Sequence, residues 1–262
     1  MIGKLNYNYL LLLFIPLILS AFTRLWNPLG FPVGPSNDES IYIRRAAYVL
    51  NGFGPQESLT HDHPYFLQLF LAGILWLIGY PNSLNLSVGS TLSVEMLYMM
   101  PRIIIGILAI LDTFLIFRIA ERYYSNKAVA FIASLIFAVM PITLLTRRVL
   151  LESVQLPFIL TSILFAVYVN EKIKEGYGNN NGKINVLILT LLSGMSLGLA
   201  IFTKLPAFVF IPLVMYLMLS NTKIKRNVKL ALAWLFPVIL VPSIWPIYAI
   251  YLNQFNAWIK GI

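Results

Sequence analysis

Predominantly apolar stretches long enough to cross a lipid bilayer recur along this chain and leave little room for any other kind of fold. An α-helix rises 1.5 Å per residue, so about 20 apolar residues, within a range of roughly 17–25, cover the hydrocarbon layer. Residues 8–26, 96–119, 128–145, 152–170, 184–203, 205–220 and 230–252 meet or approach that test, the sixth at the short end. An eighth run, FLQLFLAGILWLIGY at 66–80, has only 15 residues between His-Pro and Tyr-Pro. That length suits a helix lying at the interface or dipping in partway. Hydrophobic residues are 59% of the 262, above the roughly 45–50% of soluble domains. A soluble globule of this composition would lack the polar surface to cover its core. The expected fold is an all-α polytopic membrane protein. Seven transmembrane helices and a first outer loop (27–95) with amphipathic juxtamembrane helices form a single module over 1–262.

Charge orients these spans. With 66–80 not crossing and the N-terminus cytoplasmic, the short inner loops hold Lys4; Arg118, Arg122 and Lys127; Lys172, Lys174 and Lys183; and Lys223, Lys225, Arg226 and Lys229. These are eleven of the nineteen basic residues, as the positive-inside rule requires. If 66–80 crossed, every later loop would flip and these clusters would face outward. The same distribution, basic residues in short gaps rather than on one soluble face, argues against nucleic acid as the partner of a chain with formal charge +9. The chain has no cysteine, which removes disulfides and thiolate metal sites. The apolar run of MIGKLNYNYLLLLFIPLILSAFTRLW is long for a signal peptide, and no A-x-A-like cleavage site follows it. It is expected to be a retained first span in a multi-pass protein of the cell membrane.

On this topology the outer side gathers three polar patches. The first is PSNDESIYIRRAAYVLNGFGPQESLTHDHPYF, which holds the only two histidines. Ser36 or Asn37 is a good N-cap for an amphipathic helix stopped at Gly52. Asp38 and Glu39 then fall in its first turn, where free N–H groups and the helix dipole favour ionised carboxylates. Helix stabilisation alone is the bland explanation of that pair. In HDHPYF, Pro64 stands at the favoured first position of the next helix. His61, Asp62 and His63 form a partial set of ligands for a divalent metal such as zinc or manganese, with capping and hydrogen bonding as the default. The second patch, TLLTRRVLLES, sets Arg147 and Arg148 near Glu152; the third, FTKLP, sets Lys204 before Pro206. Arginines on the outer side run against the orientation rule. Either they snorkel to the interface or they bind a phosphate there. Arg102, at the outer start of the second span beside Glu95, can join them. Asp112 is a lone acid at span depth, expected to pair with a polar group of another span. Asn85-Leu86-Ser87 matches a glycosylation acceptor, a pattern short enough to arise by chance.

Taken in order, NDESIYIRRAAYVLNGFG, HDHPYFLQLFLAGILWLIG, MPRIIIGILAIL, MPITLLTRRVLLES and GLAIFTKLPAFVF resemble the GT-C glycosyltransferases of the protein O-mannosyltransferase and lipid A aminoarabinose transferase type. The resemblance covers nearly the whole chain. It implies an inverting transfer of a sugar from a polyprenyl-phosphate-linked donor to an acceptor on the non-cytoplasmic side. It also implies Asp38 as catalytic base with Glu39 beside it, and Glu152 in a second acidic position that is usually Asp. Lys204, Arg147 and Arg148, with Arg102 and His63, would then steady the lipid phosphate. The chemistry is consistent: the acceptor hydroxyl must lose a proton to a base, and cations must meet the charge that gathers on the leaving phosphate. Tyr65 stands where the family pattern has a second proline. The resemblance also implies further spans and an outer domain, which leaves three readings open: a fragment, a split protein whose partner chain supplies them, or a degenerate copy. The alternative is a transporter or an assembly subunit on the same fold. A transporter would show polar or broken helices near mid-bilayer in matching halves, whereas here the charges collect at the outer surface.

Overall fold

The computed structural model describes residues 7–30, 34, 36–57, 61–82, 91–141, 146–176, 180–220 and 224–261. The Asn85-Leu86-Ser87 pattern lies outside the described residues, as do Lys4, Lys223 and the side chains of Glu95, Lys183, Lys225 and Arg226. Among the described residues every regular element is helical: α1 (Tyr7–Leu25), α2 (Asn37–Leu50), α3 (Phe66–Leu77), α4 (Thr91–Tyr124), α5 (Lys127–Val139), α6 (Leu151–Glu175) and α7 (Asn180–Thr203). A 3-10 helix (Leu205–Phe210) then runs into α8 (Ile211–Leu219), followed by α9 (Ile224–Leu240), α10 (Ile244–Tyr251) and α11 (Phe255–Gly261).

Leu97–Tyr124 of α4, all of α6, Ile184–Thr203 of α7 and Val228–Tyr251 across α9 and α10 are long and apolar enough to cross a membrane. The chain is therefore a multi-pass membrane protein. α1, α5 and the Leu205–Leu219 segment are shorter apolar helices at the positions of the other three expected spans. The 12 residues of α3 reach about 18 Å, well short of the roughly 30 Å hydrocarbon layer.

Prolines explain where the helices depart from the apolar runs. Within the run 128–145 α5 ends at Val139, because Pro141 has no N–H to donate and forces Met140 to an extended φ of −64° and ψ of 129°. The carbonyls freed at that end are filled from α1. Arg24 donates to Phe137 O at 3.1 Å and Ala138 O at 3.2 Å, and Thr23 Oγ1 donates to Ala138 O at 3.1 Å. A cation at a helix C-terminus also meets the negative end of its dipole. In the sixth segment Pro206 and Pro212 accompany a 3-10 stretch that rises about 2 Å per residue, which lengthens a 15-residue unit.

The bundle is centred on α6, which packs on α4, α7 and α8; α7 packs in turn on α9, while α1 and α5 close on α4. Polar links run through its middle. Trp234, fully buried, donates Nε1–H to Ser193 Oγ at 3.1 Å, and Ser193 Oγ donates to Ser162 O at 2.9 Å. Gly198 lets α9 approach α7 so closely that a Cβ there would stand 2.6 Å from Pro237 O, the small-residue packing that brings membrane helices together. Asp112 is fully buried on α4 in the field of Arg24, yet neither carboxylate oxygen has a hydrogen-bond partner among the described residues. The expected pairing with another span is thus electrostatic only.

Candidate active site at the loop end of the bundle

The site is assembled from the first turn of α2, the HDHPY loop, the entry to α6 and the exit from α7. Ser36 caps α2 with a complete capping box: Glu39 N–H donates to Ser36 Oγ at 3.3 Å, and Ser36 N–H donates to Glu39 Oε2 at 2.9 Å. The helix ends at Asn51 with Gly52 at φ 77°, as the sequence indicates.

Glu39 is 0% exposed and accepts from every side. Arg102 donates Nε–H to Oε1 at 3.0 Å and Nη2–H to Oε2 at 2.8 Å. Arg148 Nη1–H reaches Oε2 at 3.1 Å and Val149 N–H reaches Oε1 at 2.9 Å. Burial pushes this carboxyl up, but the Arg102, Ser36 and Val149 hydrogen bonds outweigh it and hold it below the ordinary carboxylate value. A carboxylate so enclosed has no lone pair left for a substrate proton. The pairing of Glu39 with Asp38 as reacting groups is corrected here: Glu39 ties α2, α4 and the α5–α6 loop together.

Arg102 and Arg147 also depart from the expected phosphate role. Arg102 is buried and further donates to Pro28 O at 3.0 Å and Gly34 O at 2.8 Å. Arg147 is buried and donates Nη2–H to Trp26 O and, at 3.2 Å, to Asn27 O. Both stitch the loop after α1 to the bundle. Backbone carbonyls account for the burial of both side chains at this end of the bundle. Arg148 remains partly exposed beside them.

Asp38, exposed one residue before the hub, makes no hydrogen bond or ion pair among the described residues. One turn along, Tyr42 buries its ring. Burial and then the charges of Asp38, Asp62 and Glu152 push its phenol above its ordinary range. Carboxylates from α2, the HDHPY loop and α6 thus all lie within electrostatic reach of one phenol. Glu152 accepts an ion-paired hydrogen bond from Lys204 Nζ and lies within electrostatic reach of His63. Gln155, one turn along α6, donates to Lys204 O at 2.6 Å. The start of α6 therefore holds Lys204 at both its backbone and its ammonium group.

The HDH triplet does not converge on a metal. Asp62 is taken bidentately by Arg45, at 2.9 and 3.3 Å. His61 is buried with Nε2 3.0 Å from Gln254 Oε1. Among the described residues no group of three or more His, Cys, Asp or Glu side chains could hold a metal ion. These residues do not fit such a centre. Pro64 also precedes α3 by two positions rather than opening it, with Tyr65 at the cap. Tyr65 is buried between Phe202 and Tyr248 at ring separations of 5.2 and 5.4 Å, and its hydroxyl donates to Ile244 O at 3.1 Å. A second proline could make neither contact. Tyr42, Arg45, Gln155 and Gln254 carry much of the site, and the sequence signals only Tyr42 and Arg45, through their i, i+4, i+7 spacing from Asp38 on one helix face.

The family model for dolichyl-phosphate-mannose-protein mannosyltransferases (PMT) matches residues 14–259. The chain belongs to that family. No curated protein matches the sequence. Among solved structures the PMT chain resembles the S. cerevisiae protein O-mannosyltransferase Pmt1-Pmt2 complex bound to the sugar donor, at 20% identity and a TM-score of 0.68. The match covers 96% of this chain and 35% of the other. It shows a shared fold, and this chain spans about a third of the length of that relative.

Proposed function

We propose that this PMT-family chain forms the catalytic membrane module of an inverting glycosyltransferase that uses a polyprenyl-phosphate-linked sugar, mannose first among those to test. The observation that carries the reading is Asp38. It is an exposed carboxylate without a partner among the described residues, held beside a fully satisfied hub, and both it and Glu152, the partner of Lys204, act electrostatically on the Tyr42 phenol. Asp38 removes the proton of the acceptor hydroxyl. The acceptor oxygen then bonds to the anomeric carbon, and the bond from that carbon to the lipid phosphate oxygen breaks, leaving its electron pair on the phosphate. Lys204 and the exposed edge of Arg148 meet that charge, with His63 near by. One base and no covalent intermediate invert the anomeric centre. Glu152 orients Lys204 before the lipid arrives.

The site lies on the non-cytoplasmic side in this reading, with the N-terminus cytoplasmic and seven spans. A partner chain is included in the proposal, since the similar solved structure is a two-chain complex with donor bound. The test is transfer from polyprenyl-phosphate-mannose in membranes carrying the full chain, with and without co-expressed neighbours. Asp38→Asn is expected to lower the rate by about 10²–10⁴-fold with expression and unfolding midpoint unchanged. Full activity in that variant removes Asp38 from the mechanism.

A further inference from the structure

At the end of the bundle opposite Asp38, a cavity of ≈ 340 Å³ opens between α4, α6 and α8. It adjoins a second cavity of ≈ 340 Å³ along the same three helices, sharing Tyr123, Val167 and Leu217 with it. The second is almost wholly apolar, lined by residues such as Ile116, Leu160 and Leu213. The first carries Arg122, Glu171 and Lys174 at its rim. Its floor is stiffened where Asn170 Nδ2 donates to Leu217 O at 2.6 Å and to Ser220 Oγ at 2.7 Å. Together they make a slot that is oily along the helices and polar at its end.

The charges do not cancel. Arg122 lies 3.8 Å from Glu171, over the ring of Tyr168. Lys172, on the same turn as Lys174, is already paired with Glu175 at 2.7 Å. Lys174 is exposed and has no ion pair among the described residues. Two cations against one acid leave the rim one positive charge in excess. We propose that this slot binds one singly anionic glycerophospholipid, an acyl chain lying between α4 and α8 and the phosphodiester resting on Lys174 and Arg122. A zwitterionic headgroup would leave the excess charge unmet, and a free phosphate would leave the apolar part empty. The proposal does not depend on the enzymatic reading, because it involves the other end of the molecule.

The test uses the full chain in detergent, stripped of lipid and titrated with phosphatidylglycerol, phosphatidylcholine, phosphatidylethanolamine and glycerol 3-phosphate. The readouts are unfolding temperature and bound lipid by mass spectrometry. Phosphatidylglycerol is expected to bind and stabilise most. Lys174→Gln should weaken it about fivefold, the worth of one basic residue at an anionic lipid surface, while Lys172→Gln leaves it unchanged. Leu213→Trp, at a position 44% exposed, should block the acyl chain without disturbing the core. Equal binding of phosphatidylcholine overturns the proposal, as does tighter binding of phosphatidylethanolamine or full stabilisation by glycerol 3-phosphate. Unchanged phosphatidylglycerol binding in both Lys174→Gln and Leu213→Trp overturns it as well.

Discussion

Two adjacent acids in one helical turn have opposite fates because a helix turns about 100° per residue. Asp38 faces water near Tyr42, while Glu39 faces Arg102 and Arg148 and becomes the knot of the loop end. Removing one partner of a buried ion pair leaves the other charge uncompensated and costs about 3–5 kcal/mol. Glu39→Gln is expected to lower the unfolding midpoint in detergent accordingly, whereas Asp38→Asn does not. The depressed pKa of Glu39 adds a pH signature. Its stabilisation is complete above the ordinary glutamate value of about 4.3 and is lost as pH falls through the lower folded value. The wild-type midpoint should therefore fall in that acid range, and the Glu39→Gln protein should lack that component of the fall. An equal acid response in both proteins would contradict the hub.

Pairs of helices are decided by small residues and by freed backbone groups. At Gly198 on α7 any Cβ meets Pro237 O, so Gly198→Ala must push α9 away, an overpacking cost of about 1–3 kcal/mol. Gly73 on α3 has nothing within 4 Å of where a Cβ would go. Gly73→Ala should be neutral or gain up to about 1 kcal/mol of helix propensity. Thermal melts of the two variants side by side check the α7–α9 interface; equal shifts would mean that the close approach carries no weight. Apolar runs announced the helices well, and the amphipathic α2 with its Ser36 cap and Gly52 stop was legible residue by residue. The end of α5 was legible only in part. Pro141 forecasts a break, but nothing local to α5 says that Arg24, more than a hundred residues earlier, donates to its last carbonyls.

For the assembled bundle, the arrangement of charge predicts sidedness. The Asp38 cluster sits at one end, and Arg118, Arg122 and Lys127 sit at the other. The absence of native cysteine makes single-cysteine labelling free of background. Phe53→Cys, at a side chain 76% exposed on the loop end, should react with a membrane-impermeant maleimide added outside intact cells. Tyr124→Cys, 61% exposed at the α4–α5 turn, should react only after the membrane is opened. The reverse pattern would invert the topology and remove the proposed active site from the side where it is expected to meet its donor.

Membrane insertion, the all-helical class, the start and stop of α2 and the set of charged candidates follow from composition and periodicity, since these are local consequences of which side chains tolerate hydrocarbon and which cap a helix. Family membership was also readable, because its motifs are ordered along the chain. Which cations are open to a ligand was not. Arg102, Arg147, Arg148 and Lys204 look alike in one dimension. Burial against the carbonyls of Pro28, Gly34, Trp26 and Asn27 occupies the first two, while the start of α6 presents Lys204 at the surface. Only the packed bundle makes that choice, because a guanidinium or ammonium group takes whichever acceptors the fold brings within reach, and those acceptors come from distant parts of the chain.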